Sequence, residues 1–352
     1  MPNFNTILLA ILISLLFTNC KQSSKEILKI ESVQKANTDT TDTNTIKIAF
    51  GSCNDETKTQ AYWNDIRQES PDQWIWLGDN IYADTDDMSE MKAQYDKQNS
   101  HTEYINFKKL TPINGTWDDH DYGRNDAGKE FKQKDASAEL FLDFLDIPDK
   151  DIRRKRKGIY GQSTIKKGDI TVNMYYLDTR YFRDKLKGKG GKYKAENEGT
   201  VLGEEQWQWL TEALSKSKAD VNIIASSIQV IAAQHGWEKW NNFPSERTKL
   251  FDLMSSLGLS NPIIISGDRH LAEISSIVHN EVNLYDITSS SLNKPINDNN
   301  RVEANNRRVK NTSLFTGSNY GIIEISKKDN NLNILAEVKS AFGQREISVL
   351  IE

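Results

Sequence analysis

Four aspartates, one histidine and one asparagine fall within a single short stretch, W-D-D-H-D-Y-G-R-N-D-A-G at Trp117–Gly128. A solvated turn has a similar composition, because Asp, Asn and Gly are common in turns. Four other polar motifs each follow an apolar, strand-like run: G-S-C-N at Gly51–Asn54, L-G-D-N-I-Y-A-D at Leu77–Asp84, L-D-T-R at Leu177–Arg180 and S-G-D-R-H at Ser266–His270. Because ligands of α/β proteins bind beyond the carboxyl ends of strands, this pattern predicts a metal site built on loops.

One group of candidate ligands favours a strongly Lewis-acidic or thiolate-binding metal. Asp79 follows Gly78 after a strand, and Tyr82 lies three residues further on. A tyrosine has a pKa of about 10 in water, so a phenolate ligand requires a metal such as ferric iron. Cys53 would add a thiolate, which suits iron or zinc better than calcium. Considered alone, Tyr82 would be interpreted as an aromatic residue packed in the core. Its position after Gly78-Asp79, with Cys53 upstream, instead favours the interpretation that Tyr82 is a metal ligand.

The loop Asp118–Asp126 offers hard oxygen ligands, namely its carboxylates and the amide of Asn125. Oxygen-rich ligand sets favour calcium, magnesium or manganese. The two groups together predict two unlike metals that share a bridging carboxylate. Two metals about 3.5–4 Å apart can clamp a phosphate and activate an oxygen nucleophile between them. Either Asn125 or Asp126 could supply the loop's oxygen ligand.

Three further positions could act on a substrate or complete a ligand shell. Acidic neighbours should raise the pKa of His120, and its protonated ring could donate to a phosphate or protonate a leaving group. Arg180 either binds phosphate, whose geometry its donors match, or forms an ion pair that closes a strand. One residue separates Asp268 from His270, so an extended segment would present both side chains on the same side.

Composition and periodicity indicate an α/β enzyme without a nucleic-acid-binding surface. The chain has 352 residues and a net charge of −5, and its one basic run, Arg153–Lys157, is short. Apolar strands such as Gln73–Leu77 alternate with predicted helices such as Thr57–Glu69 and Ser89–Lys109. After His270 the chain alternates apolar and polar residues, which predicts antiparallel strands. We therefore expect two packed sheets flanked by helices.

The first residues are typical of an export signal. Ile7–Phe17 is apolar but too short to span a bilayer comfortably, and polar residues follow Cys20. The signal is either an ordinary one or a lipoprotein signal, in which Cys20 carries the lipid that anchors an exported protein to a membrane. In the second case Cys53 has no disulfide partner. The predicted organisation is an export signal at 1–20, a disordered tether at 21–44 and one catalytic domain at 45–352.

The ordered motifs resemble the PhoD-like alkaline phosphatase family of the metallophosphoesterase group. The resemblance extends from about Ile46 to Thr288 and includes L-G-x-x-Q-x-x-W-L at Leu202–Leu210 and W-x-x-F-P-x-E-R at Trp240–Arg247. It implies a four-layer sandwich of two central mixed sheets flanked by helices. One departure is the loop D-H-D-Y-G-R-N-D, where some members have D-H-E and N-N.

The resemblance also implies the metals and the residues around the substrate. The positions that would hold Fe³⁺ are Cys53, Asp79, Tyr82 and Asp268. The positions that would hold Ca²⁺ are Asp79, Asp119 and Asn125. The residues that would face the phosphate or complete the shell are His120, Arg180 and His270. Zinc, magnesium or manganese are alternative metals.

The predicted function is hydrolysis of phosphate esters by an exported monomer with a metal-bridging oxygen as the nucleophile. The substrate could be a monoester or a diester. Two other interpretations stay open. One is a non-catalytic surface lipoprotein that binds phosphorylated ligands, which a rate assay would distinguish. The other is a zinc hydrolase of carboxylic or sulfate esters.

Overall fold

The computed structural model describes residues 44–196, 198–298, 303–329 and 331–351. From Asn44 onward the chain forms one compact unit. The predicted export signal with Cys20 lies outside the described residues, as does all of the predicted tether except Asn44. Among the described residues, no helix combines the length and apolar character needed to cross a membrane.

Twelve strands and seven α-helices are found in the described part of the chain. The strands are β1 (Thr45–Gly51), β2 (Gln73–Leu77), β3 (Ile113–Thr116), β4 (Gly161–Lys167), β5 (Ile170–Tyr176), β6 (Val221–Ala225), β7 (Pro262–Ser266), β8 (Ala272–His279), β9 (Val282–Ser289), β10 (Asn319–Lys328), β11 (Asn331–Ser340) and β12 (Arg345–Ile351). The helices are α1 (Tyr62–Gln68), α2 (Met88–Ser100), α3 (Thr102–Lys108), α4 (Asp119–Tyr122), α5 (Lys134–Phe144), α6 (Gly203–Ser215) and α7 (Pro244–Ser256), with 3₁₀ turns at Ile152–Lys155 and Trp240–Asn242.

The strands form two six-stranded mixed sheets. The first sheet has the order β12-β11-β10-β1-β2-β3, in which β1, β2 and β3 are mutually parallel. The second has the order β4-β5-β6-β7-β9-β8, with β5, β6, β7 and β9 parallel. The antiparallel strands predicted after His270 are found: β8 pairs with β9, and β11 pairs with both β10 and β12, in each case antiparallel. The parallel strands bring their carboxyl ends to one edge of each sheet.

Three hydrophobic clusters separate four layers. One lies between the sheets and includes Ile48 and Ile75 of the first sheet and Ile223 of the second. The other two lie on the outer sheet faces, where helices cover them. The predicted four-layer α/β sandwich is therefore confirmed. Because side chains alternate across a strand, β2 gives its tryptophans to the outer cluster and Ile75 to the inner one.

Two helix predictions were wrong in their extent. Ser89–Lys109 is two helices, because His101 has ψ 122° and breaks the helical path between α2 and α3. The helix predicted at Thr57–Glu69 begins only at Tyr62. Before it, the side chain of Asp55 accepts hydrogen bonds from the backbone and hydroxyl of Thr57, which stabilises a turn instead.

Candidate metal centre

The predicted ligands meet at the carboxyl ends of strands from both sheets. Cys53 follows β1, Asp79 follows β2, and Asp119 follows β3. Asp268 and His270 follow β7 of the second sheet. Three groups of these side chains each have donor atoms within 4.8 Å of one another: Cys53, Asp79 and His270; Asp79, Asp119 and His120; and Asp118, Asp119 and Asp268. The expected site thus exists as a geometric cluster.

The thiolate-containing group lies around one oxygen of Asp79. The sulfur of Cys53 lies 3.5 Å from Oδ2 of Asp79, and the Tyr82 hydroxyl donates to the same oxygen at 3.2 Å. The hydroxyl of Ser290, after β9, lies 3.1 Å from the Cys53 sulfur. Cys53 and Asp79 are buried. Cysteine, carboxylate and phenol therefore converge at one point.

The oxygen-rich group lies around Asp119. Asp119 accepts hydrogen bonds from the backbone of His120 at 3.0 Å and of Asp126 at 2.6 Å. Asn125 is exposed, and its amide nitrogen donates to the Asp126 carboxylate at 2.6 Å. That carboxylate also accepts from the hydroxyl of Tyr193. Both Asn125 and Asp126 stay near Asp119, so the choice between them stays open.

The backbone at this cluster is strained. Positive φ angles are found at Cys53 (54°), Asp79 (48°), Asp268 (68°) and His270 (55°). A non-glycine residue in this region costs on the order of 1–3 kcal/mol and persists only where its surroundings hold it. Such strain clusters at functional sites. Gly78 (φ 92°) makes the turn before Asp79, because a Cβ there would lie 2.4 Å from the Cβ of Asp118.

Burial and like charges shift the titration of the acids. Burial raises the pKa of Asp79 to about 7, and the carboxylate of Asp119 adds to this effect while His120 opposes it. Burial likewise raises the pKa of Asp121 to about 7, although three backbone N–H groups donate to it. Burial and then Asp79 raise the pKa of the Cys53 thiol. A bound cation would relieve this crowding of acids, and metal ligands bind in their deprotonated forms.

The pKa values of the two histidines of the cluster are shifted in opposite directions. Burial alone would lower the pKa of His120, but the carboxylates of Asp119, Asp79 and Asp84 raise it to about 11. Nδ1 of His120 lies 2.7 Å from the Asp84 carboxylate, which fixes the ring. Burial lowers the pKa of His270 to about 4, and its Nδ1 lies 2.5 Å from the carbonyl oxygen of Lys294. His120 is therefore a cation and His270 is neutral near pH 7.

Arg180 lies behind the cluster. Its side chain has no exposed surface, and it donates from Nε to Asp118 at 2.5 Å and from Nη1 to Glu238 at 2.7 Å. Glu238 also pairs with Arg183 at 3.0 Å. Arg180 thus forms ion pairs, but with Asp118 and Glu238; the aspartate of its own motif, Asp178, accepts its backbone N–H at 3.0 Å. A direct contact with phosphate stays a prediction and would require Arg180 to leave one of its carboxylates.

A cavity of about 330 Å³ opens over the cluster. The residues that line it are Asp119, His120, Asn125, Asp126, Trp237, Glu238, Asp268, Arg269, His270 and Ile296. Seven of these residues belong to the motifs singled out in the sequence. The cavity thus connects the cluster to solvent and can admit a small phosphorylated molecule.

Sequence reasoning missed two cavity residues that bear on phosphate binding. Arg269 is 4% exposed, its Nη2 donates to Glu303 at 2.5 Å, and its buried Nε has no hydrogen-bond partner among the described residues. It stands between Asp268 and His270 in the sequence, which was the signal available for it. Glu238 comes from a loop whose path no motif revealed. Arg269 is the one arginine among the residues that line this cavity.

Comparisons with known proteins identify the family and the fold. A sequence model of a family described as PhoD-like phosphatase matches residues 48–334. Alkaline phosphatase D of Bacillus subtilis (strain 168) is 25% identical over 279 residues, which cover 65% of this chain and 46% of that protein. The chain thus spans about half the length of that curated relative. A solved structure titled "Structure of PhoD" has the same fold, with a TM-score of 0.67 and 17% identity over 88% of this chain and 68% of that one.

Proposed function

The chain belongs to the PhoD-like phosphatase family, and on that premise we propose that it hydrolyses phosphate esters with two unlike metals at the strand-end cluster. The observation that carries the proposal is the position of Asp79. Its carboxylate lies in the group with Cys53 and also in the group with Asp119. A carboxylate shared by two ligand groups could bridge two metals about 3.5–4 Å apart.

The donor set fits such a pair. Cys53, Asp79, Tyr82 and Asp268 would hold ferric iron, and Asp79, Asp119 and Asn125 would hold calcium; zinc, magnesium or manganese are alternatives. Buried Oδ2 of Asp118, beside this set, has no hydrogen-bond partner among the described residues. When bound, the metals would supply Lewis acidity that neutralises phosphate charge and activates water for attack.

The protein's own groups would orient the phosphate and move protons. His120 lines the cavity, and the Asp84 carboxylate holds its Nδ1. Its Nε2 makes no hydrogen bond among the described residues, so the protonated ring can donate there to a phosphate oxygen or to the leaving oxygen. His270 is neutral and anchored by the Lys294 carbonyl, which suits a ligand or a hydrogen-bonding role.

Positive charge around the phosphate would come from two arginines at different depths. Arg269 faces the cavity and keeps one buried donor unpaired. Arg180 acts from behind the cluster, because its buried charge pairs with Asp118 and opposes the rise that burial causes in the pKa of that carboxyl. Fixed charges in a site with little water stabilise developing negative charge more strongly than they would in solution.

The proposal is tested by measuring hydrolysis of 4-nitrophenyl phosphate after loading with iron and calcium. Asp79→Ala and Asp119→Ala should each lower kcat/KM more than about a hundredfold, because even groups beyond the direct ligands commonly cost 10- to 100-fold. Asp96→Ala is the matched control, since Asp96 is exposed and pairs with Lys92 on the surface of the described chain. Circular dichroism should show an intact fold in all three. Activity retained without Asp79 and Asp119 would eliminate the proposed site.

Turnover also separates the proposal from the binding-only alternative. A chain that binds inorganic phosphate but releases no nitrophenol with metals supplied would be a phosphate-binding protein. Adding a diester, bis(4-nitrophenyl) phosphate, tests whether monoesters or diesters are preferred.

A further inference from the structure

Trp237 is exposed at the mouth of the cavity over the metal cluster. Its side chain is 46% exposed. The chain has eight tryptophans, and five of them have no exposed surface: Trp63, Trp74, Trp76, Trp117 and Trp240. Leaving a large aromatic in water forgoes its hydrophobic stabilisation. A tryptophan left exposed beside a reactive cluster therefore indicates a contact with what enters the cavity.

One face of the Trp237 ring is already covered. A Cβ built on Gly191 would lie 3.1–3.2 Å from three carbons of the indole, Cε2, Cδ2 and Cε3. A point nearly equidistant from three ring atoms lies over the ring face and not at its edge. Gly191 therefore lies over one side of the ring, which leaves the opposite side as the face that a ligand can reach.

The backbone around Trp237 is held in place. Tyr193 donates its backbone N–H to the Gly236 carbonyl at 3.0 Å. The Trp237 carbonyl accepts from Nζ of Lys239 at 2.9 Å. The next residue, Glu238, is fixed by its buried ion pairs with two arginines. A ring held this way loses little freedom when a ligand stacks on it, which favours binding.

We infer that Trp237 is a stacking surface for the leaving group and gives the enzyme a preference for phosphate esters of planar aromatic alcohols. The inference rests on the proposed hydrolysis of phosphate esters. The phosphate would lie at the cluster of Asp119, His120 and Asp268, and the organic group would extend to the cavity mouth. An aromatic group gains from stacking on indole, whereas a saturated ring of similar size gains only the nonspecific apolar contact.

The test uses two substrates that differ in planarity but not in the kind of bond cleaved. Benzyl phosphate and cyclohexylmethyl phosphate both release a primary alcohol. For the metal-loaded wild type we expect a higher kcat/KM for the benzyl ester. Trp237→Ala should lower kcat/KM for the benzyl ester roughly three- to tenfold, mainly through KM, with a smaller loss for the cyclohexylmethyl ester.

Two further variants distinguish aromatic stacking from nonspecific apolar contact. Trp237→Phe should keep most of the benzyl preference, and Trp237→Leu should lose it although it keeps an apolar side chain. Phe342→Ala is the matched control, because Phe342 is 89% exposed and lies outside the cavity. Equal losses for both esters in Trp237→Ala, or full preference in Trp237→Leu, would overturn the inference.

Binding of benzylphosphonate and cyclohexylmethylphosphonate, measured by calorimetry, tests the same preference without turnover. If wild type binds the benzyl compound more tightly but hydrolyses neither ester, the proposed function fails and the stacking site stands. If it hydrolyses both esters with equal efficiency and binds both phosphonates equally, the stacking site fails alone.

Discussion

The hydroxyl of Tyr82 donates to Oδ2 of Asp79 across 3.2 Å, the same oxygen that the Cys53 sulfur approaches at 3.5 Å. Burial and the Asp79 charge raise the pKa of Tyr82 above its ordinary value. In the metal-free chain Tyr82 therefore keeps its proton. Only a strongly Lewis-acidic ion at this point would hold it as phenolate.

If Tyr82 is an iron ligand, phenolate-to-iron charge transfer should colour the iron-loaded wild type purple or blue-violet, and Tyr82→Phe should abolish that colour. The measurement is visible absorption, with iron content determined on the same samples. Tyr160→Phe is the control, because Tyr160 packs against Arg156 and Trp209 outside the cavity. A Tyr82→Phe variant that binds iron and keeps the colour would remove Tyr82 from the ligand set.

His120→Gln should slow hydrolysis of esters with poor leaving groups much more than hydrolysis of activated ones. The protonated ring, held by Asp84 at 2.7 Å, can give its proton to the leaving oxygen, and such acid catalysis contributes roughly 10²- to 10⁴-fold. An activated nitrophenol leaves without that help. The measurement is kcat for a series of esters with leaving alcohols of increasing pKa.

The matched control for His120 is His279→Gln. His279 also pairs with an aspartate, Asp252 at 2.7 Å, but it lies at the end of β8 and outside the cavity. Its kcat should stay within about twofold of wild type for every ester. If His120→Gln lowers kcat by the same factor across the series, the ring orients the phosphate and does not act as the acid.

Glu238→Gln should destabilise the fold by about 3–5 kcal/mol, because it leaves the buried guanidinium of Arg180 without one of its two carboxylates. The side chains of Glu238 and Arg180 are 2% and 0% exposed. Lys92→Gln breaks the exposed pair with Asp96 and should change the free energy of unfolding by less than about 1 kcal/mol. Urea unfolding of both variants measures the contrast, and similar values would mean that the buried pair is not structurally important.

Sequence reasoning brought the candidate ligands to one region, because these residues come directly after strands. Buried apolar runs such as Gln73–Leu77 marked the strand ends, and a parallel sheet brings such ends to one edge. Cys53, Asp79 and Asp268 could therefore be assigned to one site without knowing the loops. The four-layer fold followed from the alternation of strands and helices, together with the family resemblance.

The rest of the site depends on where loops run in space. Trp237 and Arg269 reach the cavity because of the path of loop 227–239 and of the turn after β7, and no local pattern specifies either path. Arg180 was placed on the correct element, but its burial between Asp118 and Glu238 depends on a residue 58 positions away. Ion pairs between residues this far apart in the chain leave no periodic or spacing pattern in the sequence from which they could be predicted.

Removing the metals should cost stability, and the cost should grow with pH. In the metal-free chain Asp79 and Asp121 have pKa values of about 7, above the value of about 3.9 expected for an unfolded aspartate. The folded state binds these protons more tightly than the unfolded state. This contribution to stability is fully present below about pH 4 and is lost as the pH rises through about 7. Bound metals compensate, because they bind the deprotonated carboxylates.

The measurement is the difference in Tm between metal-loaded and chelator-treated protein at pH 5 and pH 8. Each 1 kcal/mol gained at the higher pH should widen the difference by roughly 2–4 °C. In Asp79→Asn, which lacks the carboxylate shared by the two ligand groups and should therefore bind the metals poorly, the difference should be small at both pH values. A difference in Tm for wild type that is equal at pH 5 and pH 8 would show that the carboxylates of the cluster are already ionised without metal. Backbone N–H donors, such as the three that bond to Asp121, would then already offset the crowded negative charges, and metal binding would contribute the same stability at both pH values.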